Sequence, residues 1–217
     1  MDIYEVVRGP LVWIAFLGLA GGVVVKLLLM ASLAKKEKTV FPTMSASHGL
    51  RSILHWIMPW GSTNMRAWPV MTTVSFAFHL CLLVTPLFVM GHAVSWQQSW
   101  GISWWSLPAL AADIMTLWVV CGGVFFLIRR LTAPEVRNVT TFKDVLLILL
   151  VISPYLTAFV AHEQWFNNDV MIVLHIVTGV LWMLAIPFTW LSHMFWFVFT
   201  RAYMGSEFGA VRNARDW

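Results

Sequence analysis

An all-α integral membrane fold with five transmembrane helices is what the sequence predicts, on three observations. The 217 residues are 59% hydrophobic and 11% charged, with a mean hydropathy of +0.77, whereas a soluble domain carries about a quarter charged residues. Five apolar stretches are each long enough, at about 1.5 Å per residue, to cross or nearly cross a hydrocarbon core of roughly 30 Å. Lys and Arg crowd into alternate loops, as the positive-inside rule requires of a polytopic chain.

The first stretch, 11–33, follows Asp2 and Glu5 rather than a basic leader, so it reads as a retained span and not a signal peptide. Lys26 near its inner end is expected to snorkel toward the headgroups. The segment SHGLRSILHWIMPW, Ser47 to Trp60, is too short and too charged to cross and reads as an interfacial helix, with His48, Arg51 and His55 forming a polar stripe. The second span, 69–91, carries His79, Cys81, Pro86 and Met90 and leads into His92. The third, 108–128, contains Asp113 and Cys121; the fourth, 145–161, ends beside His162 and Glu163. The fifth, 170–199, carries His175 and His193.

Lys35, Lys36, Lys38, Arg51 and Arg66 follow the first span, Arg129, Arg130, Arg137 and Lys143 separate the third from the fourth, and Arg201, Arg212 and Arg215 lie in the tail. Loops 91–107 and 162–169 hold no Lys or Arg. The N-terminus is therefore expected outside and the C-terminus in the cytoplasm. Trp96, Trp100, Trp104 and Trp105 mark one interface, and Trp56, Trp60 and Trp68 the other. With no internal repeat and no linker, residues 1–217 read as one membrane-embedded domain. Neither cysteine belongs to a CxxCH motif, which excludes a covalent c-type haem, and two isolated apolar cysteines support neither a disulfide nor an iron–sulfur cluster.

The histidines carry the functional signal. His175 and His193 are eighteen residues apart, five turns of an unbroken helix, which puts both imidazoles on one face about 27 Å apart along the axis. Ionisable side chains at membrane depth are costly and mark function, and imidazole is a haem ligand. Counted from the cytoplasmic ends, His79 and His193 are expected at similar shallow depths, and His92 and His175 near the opposite side. The inner pair is then His79 with His193, and the outer pair His92 with His175: two b haems, each held by two imidazoles. One geometric difficulty stands. Thirteen residues separate His79 from His92, about 220° of rotation, so both face one partner only if the helix departs from straightness near Pro86. Met90 and His162 are the substitute outer ligands. The bland alternative is that these histidines are hydrogen-bonded packing residues. Asp113 and His162 are candidates for proton handling at a quinone site, against readings as a buried polar partner and a solvated loop residue.

Four motifs carry a family resemblance. RRLTAPEVRNVTTFKDVLLILL, Arg129 to Leu150, resembles the cytoplasmic loop and following helix of respiratory nitrate reductase gamma subunits. LHIVTGVLWMLAIPFTWLSH, Leu174 to His193, resembles that family's last helix with its two haem ligands, and FAFHLCLL places His79 at the second-helix ligand. The fourth family ligand falls at Val89 here, leaving His92 as the nearest replacement, and loop 91–107 lacks the family's quinol-site lysine. PWGSTNMRAWPVMT, with the Trp-rich loop, is similar to the cytochrome b subunits of transmembrane redox complexes of sulfate-reducing bacteria. The resemblance implies a dihaem b cytochrome of a bacterial inner membrane, with two haem b and access to menaquinone. It also implies partners: a periplasmic multihaem cytochrome c, a cytoplasmic iron–sulfur protein and other membrane subunits. Any catalysis is then limited to quinone redox chemistry. The rivals are a quinol-oxidising gamma subunit of a nitrate reductase-type complex, and a haem-free transporter or proton channel. The latter is disfavoured by the lack of inverted repeats.

Overall fold

The computed structural model of the protein describes residues 3–36 and 43–217; Asp2 and Lys38, used above for topology, lie outside them. The described regular structure is entirely helical, and no strand occurs among the described residues. The long helix α1 (Val12–Lys36) is entered through helical turns at Ile3–Val6 and Val7–Leu11. There follow α2 (Ala46–Ile57), α3 (Thr63–Ala67), α4 (Pro69–Phe88), α5 (Met90–Trp100) and α6 (Ala109–Thr132). After these come the single turn α7 (Pro134–Arg137), then α8 (Phe142–His162), α9 (Asn168–Phe188) and α10 (His193–Ser206).

Five helical segments are long and apolar enough to cross a membrane: Tyr4–Leu33, Pro69–Trp100, Ala109–Thr132, Phe142–His162 and Asn168–Phe188. Their large side chains are widely exposed, Leu28 at 65%, Leu110 at 72% and Phe188 at 73% among them. Such apolar surface suits lipid rather than water.

The expected fifth span, 170–199, is shorter than the sequence suggested. α9 stops at Phe188, a tight turn occupies Trp190–Ser192, and His193 opens a separate helix. The cause is local: Pro187 brings no N–H to the ladder, and Thr189 is extended (φ −126°, ψ −174°) with its hydroxyl donating to Ala185 O at 2.7 Å. The five-turn argument for His175 and His193 assumed an unbroken helix and does not hold.

Contacts group into two compact units: residues 74–182 with the N-terminal segment to Val12, and Trp13–Thr73 with Met183–Trp217. In the first unit, α6 packs on α8. Gly123 leaves no room for a Cβ against Ile152, so the two helices meet backbone to side chain. Val119 on α6 and Val151, Ile152 and Tyr155 on α8 are among the buried residues of these helices. α8 is started by Asp144, whose carboxylate accepts from both the N–H and the hydroxyl of Thr141 at 2.8 Å, a capping-box arrangement.

In the second unit, α2 lies along α10. The face it buries is built of small residues, Gly49 and Ser52, set against Ala202 and Gly205. Ser206 Oγ accepts from Ser45 N at 3.0 Å and fixes the register. The opposite face of α2 exposes Leu50, Leu54 and Ile57, as an interfacial helix does. The expected polar stripe is partly consumed: His48 faces Gly209, while Arg51 and His55 enclose the Trp217 ring at 4.7 and 4.2 Å. Asp216 accepts from Ser52 Oγ and pairs with Arg201 at 3.9 Å.

Candidate functional site

The first unit assembles one histidine pair. His92 enters α5 just after Val89, whose extended ψ of 136° separates α4 from α5. That break releases three successive carbonyls from the helical ladder, and each finds another donor. Pro86 O accepts from His92 Nδ1 at 2.7 Å, Leu87 O from Trp104 Nε1 at 2.7 Å, and Phe88 O from the Leu107 amide at 2.8 Å. Upstream, Pro86 cannot donate to Leu82 O, and the Tyr155 hydroxyl of α8 takes that carbonyl at 2.5 Å. The rotation conflict between His79 and His92 is thus resolved by a backbone break rather than a smooth kink.

On α9, His175 directs Nδ1 to Pro154 O of α8 at 2.8 Å. The His92 and His175 rings lie 5.9 Å apart, centroid to centroid, with their planes 26° apart. A carbonyl oxygen only accepts, so both Nδ1 atoms carry the proton and both Nε2 atoms keep the lone pair. A metal bonded at about 2 Å to each of two Nε2 atoms sets ring centroids roughly 6 Å apart. A ligating histidine is ordinarily held through its other nitrogen by such a carbonyl. Beside the pair are two positions where a Cβ would meet nothing within 4 Å: Gly91, next to His92, and Gly179, one turn beyond His175. The donor set is one that would suit a haem iron held by His92 and His175.

His79 has the same local arrangement, Nδ1 to Ser75 O at 2.7 Å, with Phe78 edge-on at 5.4 Å. In the second unit His193 Nδ1 bonds Trp190 O at 2.9 Å. All four candidate ligands are therefore Nδ1–H tautomers held by backbone carbonyls. Of the substitutes for the outer ligand, Met90 is exposed (62%) and His162 is engaged elsewhere, while His92 is the residue beside His175.

His162, at the C-terminus of α8, places Nε2 3.6 Å from Asp113 Oδ1 of α6, and Glu163 brings a second carboxylate oxygen into the group within 4.8 Å. Asp113 is half-buried and His162 and Glu163 are exposed. Asp113 and His162, both singled out in the sequence, are adjacent in the structure.

Sequence reasoning missed Tyr155 and Trp104, which hold the carbonyls freed around Pro86 and Val89. The signal was available in part, because each intrahelical proline orphans a carbonyl one turn earlier. It also misplaced Lys26. Rather than snorkelling, Lys26 Nζ bonds Ser192 Oγ at 2.7 Å and Pro187 O at 3.3 Å.

No family description matches the chain, and no solved structure matches it. It is similar to a protein of Nitratidesulfovibrio vulgaris (strain Hildenborough), 29% identical over 215 residues that take in 97% of this chain and 95% of the relative. That relative's printed name, "Protein", states no activity.

Proposed function

We propose that the chain is a dihaem b-type membrane cytochrome of a bacterial inner membrane, an electron-transfer subunit without hydrolytic or group-transfer chemistry. His92 and His175 are assigned to the outer haem. His79 and His193 are assigned to the inner one, on the resemblance of their segments to the ligand-bearing helices of the gamma subunits. The observation that carries the reading is the His92–His175 pair, two imidazoles with ring centroids 5.9 Å apart, each bonded through Nδ1 to a backbone carbonyl. When bound, haem would supply one-electron redox chemistry, with His92, His175, His79 and His193 as the residues that would hold it.

The residues of this chain then have separate tasks. Pro86 O and Pro154 O orient the imidazoles and raise their basicity as ligands. Tyr155, Trp104 and Leu107 satisfy the backbone that the broken helix exposes, so the pair can sit in an apolar setting without orphaned carbonyls. Asp113 and His162 are assigned to accept protons released at a menaquinone site on the same side, since their carboxylate–imidazole contact is where α6 meets the end of α8. The proposed partners are a periplasmic multihaem cytochrome c, a cytoplasmic iron–sulfur protein and further membrane subunits.

Haem content per purified chain, by pyridine haemochrome with a dithionite-reduced spectrum, tests this reading. Two b haems are expected, falling to one in His92→Ala. One haem in the parent chain refutes the outer pairing. None refutes the cytochrome reading and favours a haem-free transporter or proton channel.

A further inference from the structure

The second unit contains a cation at membrane depth with no counter-charge. Lys26 lies in the interior of the Tyr4–Leu33 span, and among the described residues no carboxylate is within ion-pair distance of it. Burying an unpaired ammonium is expensive, so intramembrane lysines are paired with an anion or serve one. Its approach is built in: Gly22, one turn earlier on the same face of α1, leaves no room for a Cβ against Pro187, which would come within 2.6 Å. Close packing there delivers the ammonium to the broken end of α9.

Nζ is held by two neutral acceptors and an aromatic face, with no carboxylate among them. Ser192 Oγ accepts from Nζ at 2.7 Å and gives its own proton to Thr189 O at 2.8 Å. Pro187 O accepts a second ammonium proton at 3.3 Å. Nζ lies 5.7 Å from the centre of the Trp196 ring, and Trp196, only 7% exposed, has an indole N–H that is buried with no acceptor. An orphaned buried donor carries an uncompensated desolvation cost. An ammonium with no carboxylate partner among the described residues, lying over a ring whose buried N–H has no acceptor, suits an anionic oxygen group. α10 begins between them at His193, and the positive end of its dipole adds to the same field.

We propose that Lys26 and Trp196 form a carboxylate-binding site that holds a propionate of the haem ligated by His193. This rests on the functional reading above. His193 is flanked by both halves of the site: Ser192 immediately before it and Trp196 one turn after, on the same side of the chain. Ser192 and Trp196 are 5% and 7% exposed, which favours a group presented from within the protein over a lipid phosphate arriving from the interface. Lys26 is a positioning residue in this scheme. Its charge offsets the propionate, favours the reduced iron and raises the potential of one haem without touching the other.

Potentiometric titration of the purified holoprotein tests the proposal, with haem counted in every variant. Lys26→Met is expected to retain two haems and to lower one midpoint potential by the equivalent of at least tenfold in the redox equilibrium, about 59 mV for one electron. The shifted component is the one absent from His193→Ala. Lys26→Arg, which keeps the charge, is expected to hold the parent potential, and Trp196→Phe to shift it part-way. Lys26→Gln discriminates the roles, because it keeps a donor for Pro187 O without the charge. A parent-like potential in Lys26→Gln assigns Lys26 to capping alone and overturns the proposal. Two haems with unmoved potentials in Lys26→Met overturn it as well, whether or not bound lipid or quinone is lost. A parent chain without haem refutes the functional reading, and this inference with it.

Discussion

Gly179 separates an open groove from an accidental gap. It lies one turn beyond His175 on α9, and a Cβ built there meets nothing within 4 Å. If that space belongs to the bare protein, filling it is harmless: Gly→Ala in a helix gains about 0.8–1.0 kcal/mol in propensity. If a haem on His175 lies over it, a large side chain competes with a rigid plate, and overpacking costs about 1–3 kcal/mol. At about 1.4 kcal/mol per tenfold, that is a loss of roughly 5- to 150-fold in affinity at one site. Gly179→Phe is therefore expected to reduce haem from two towards one per chain, measured by pyridine haemochrome, with the His193 haem retained. Gly21→Phe is the control, since Gly21 is equally open on α1 but far in sequence from any candidate ligand. Two haems of unaltered potential in Gly179→Phe would refute the assignment of that space.

Gly205→Ala is expected to destabilise by about 1–3 kcal/mol, because its Cβ would lie 2.5 Å from His48 O and Ser52 Cβ, and α2 and α10 would have to part. Gly49→Ala meets Ala202 at 3.2 Å and is expected to cost less, so thermal unfolding in detergent should rank the two in that order. Tyr155→Phe leaves Leu82 O without its donor and is expected to cost about 1–2 kcal/mol, read in the same assay, with the His175 haem becoming easier to lose. Trp104→Phe orphans Leu87 O and shifts the balance towards a continuous helix, measurable as slower amide exchange at Gly91, whose N–H would rejoin the ladder. His162→Gln and Asp113→Asn are each expected to slow menaquinol-dependent reduction at least tenfold while leaving dithionite-reduced haem unchanged.

Much of this architecture is legible in composition and spacing, because lipid allows few solutions. The five spans follow from hydropathy, and the interfacial helix follows from charges too frequent for a span. The partners of the helix breaks are not legible. Val89 carries no breaking signal of its own, and distant groups, Trp104 and Leu107, satisfy the carbonyls its extended backbone releases; near Thr189 the local break at Pro187 is completed by Lys26, which takes Pro187 O. Such donors are tertiary facts with no sequence period. The same limit explains the histidines. Rotation along an ideal helix set His92 against its assignment and favoured a common face for His175 and His193, and both inferences depended on continuity that the backbone does not have.

The two breaks give the fold its functional logic. In a continuous helix a side chain that bonds an interior carbonyl shares it with the ladder, as His79 does at Ser75 O and His175 at Pro154 O. Interrupting the helix at Val89 liberates Pro86 O for His92, while Trp190 O, in the turn before α10, accepts from both the His193 N–H and its Nδ1. Ring orientation at these two positions is therefore set by main-chain atoms that no single side-chain substitution removes. His79, by contrast, bonds the Ser75 carbonyl within an intact helix, an arrangement that competes with the ladder. Variation at positions 86–92 and 187–193 should then alter ligand orientation more than equal variation around Ser75.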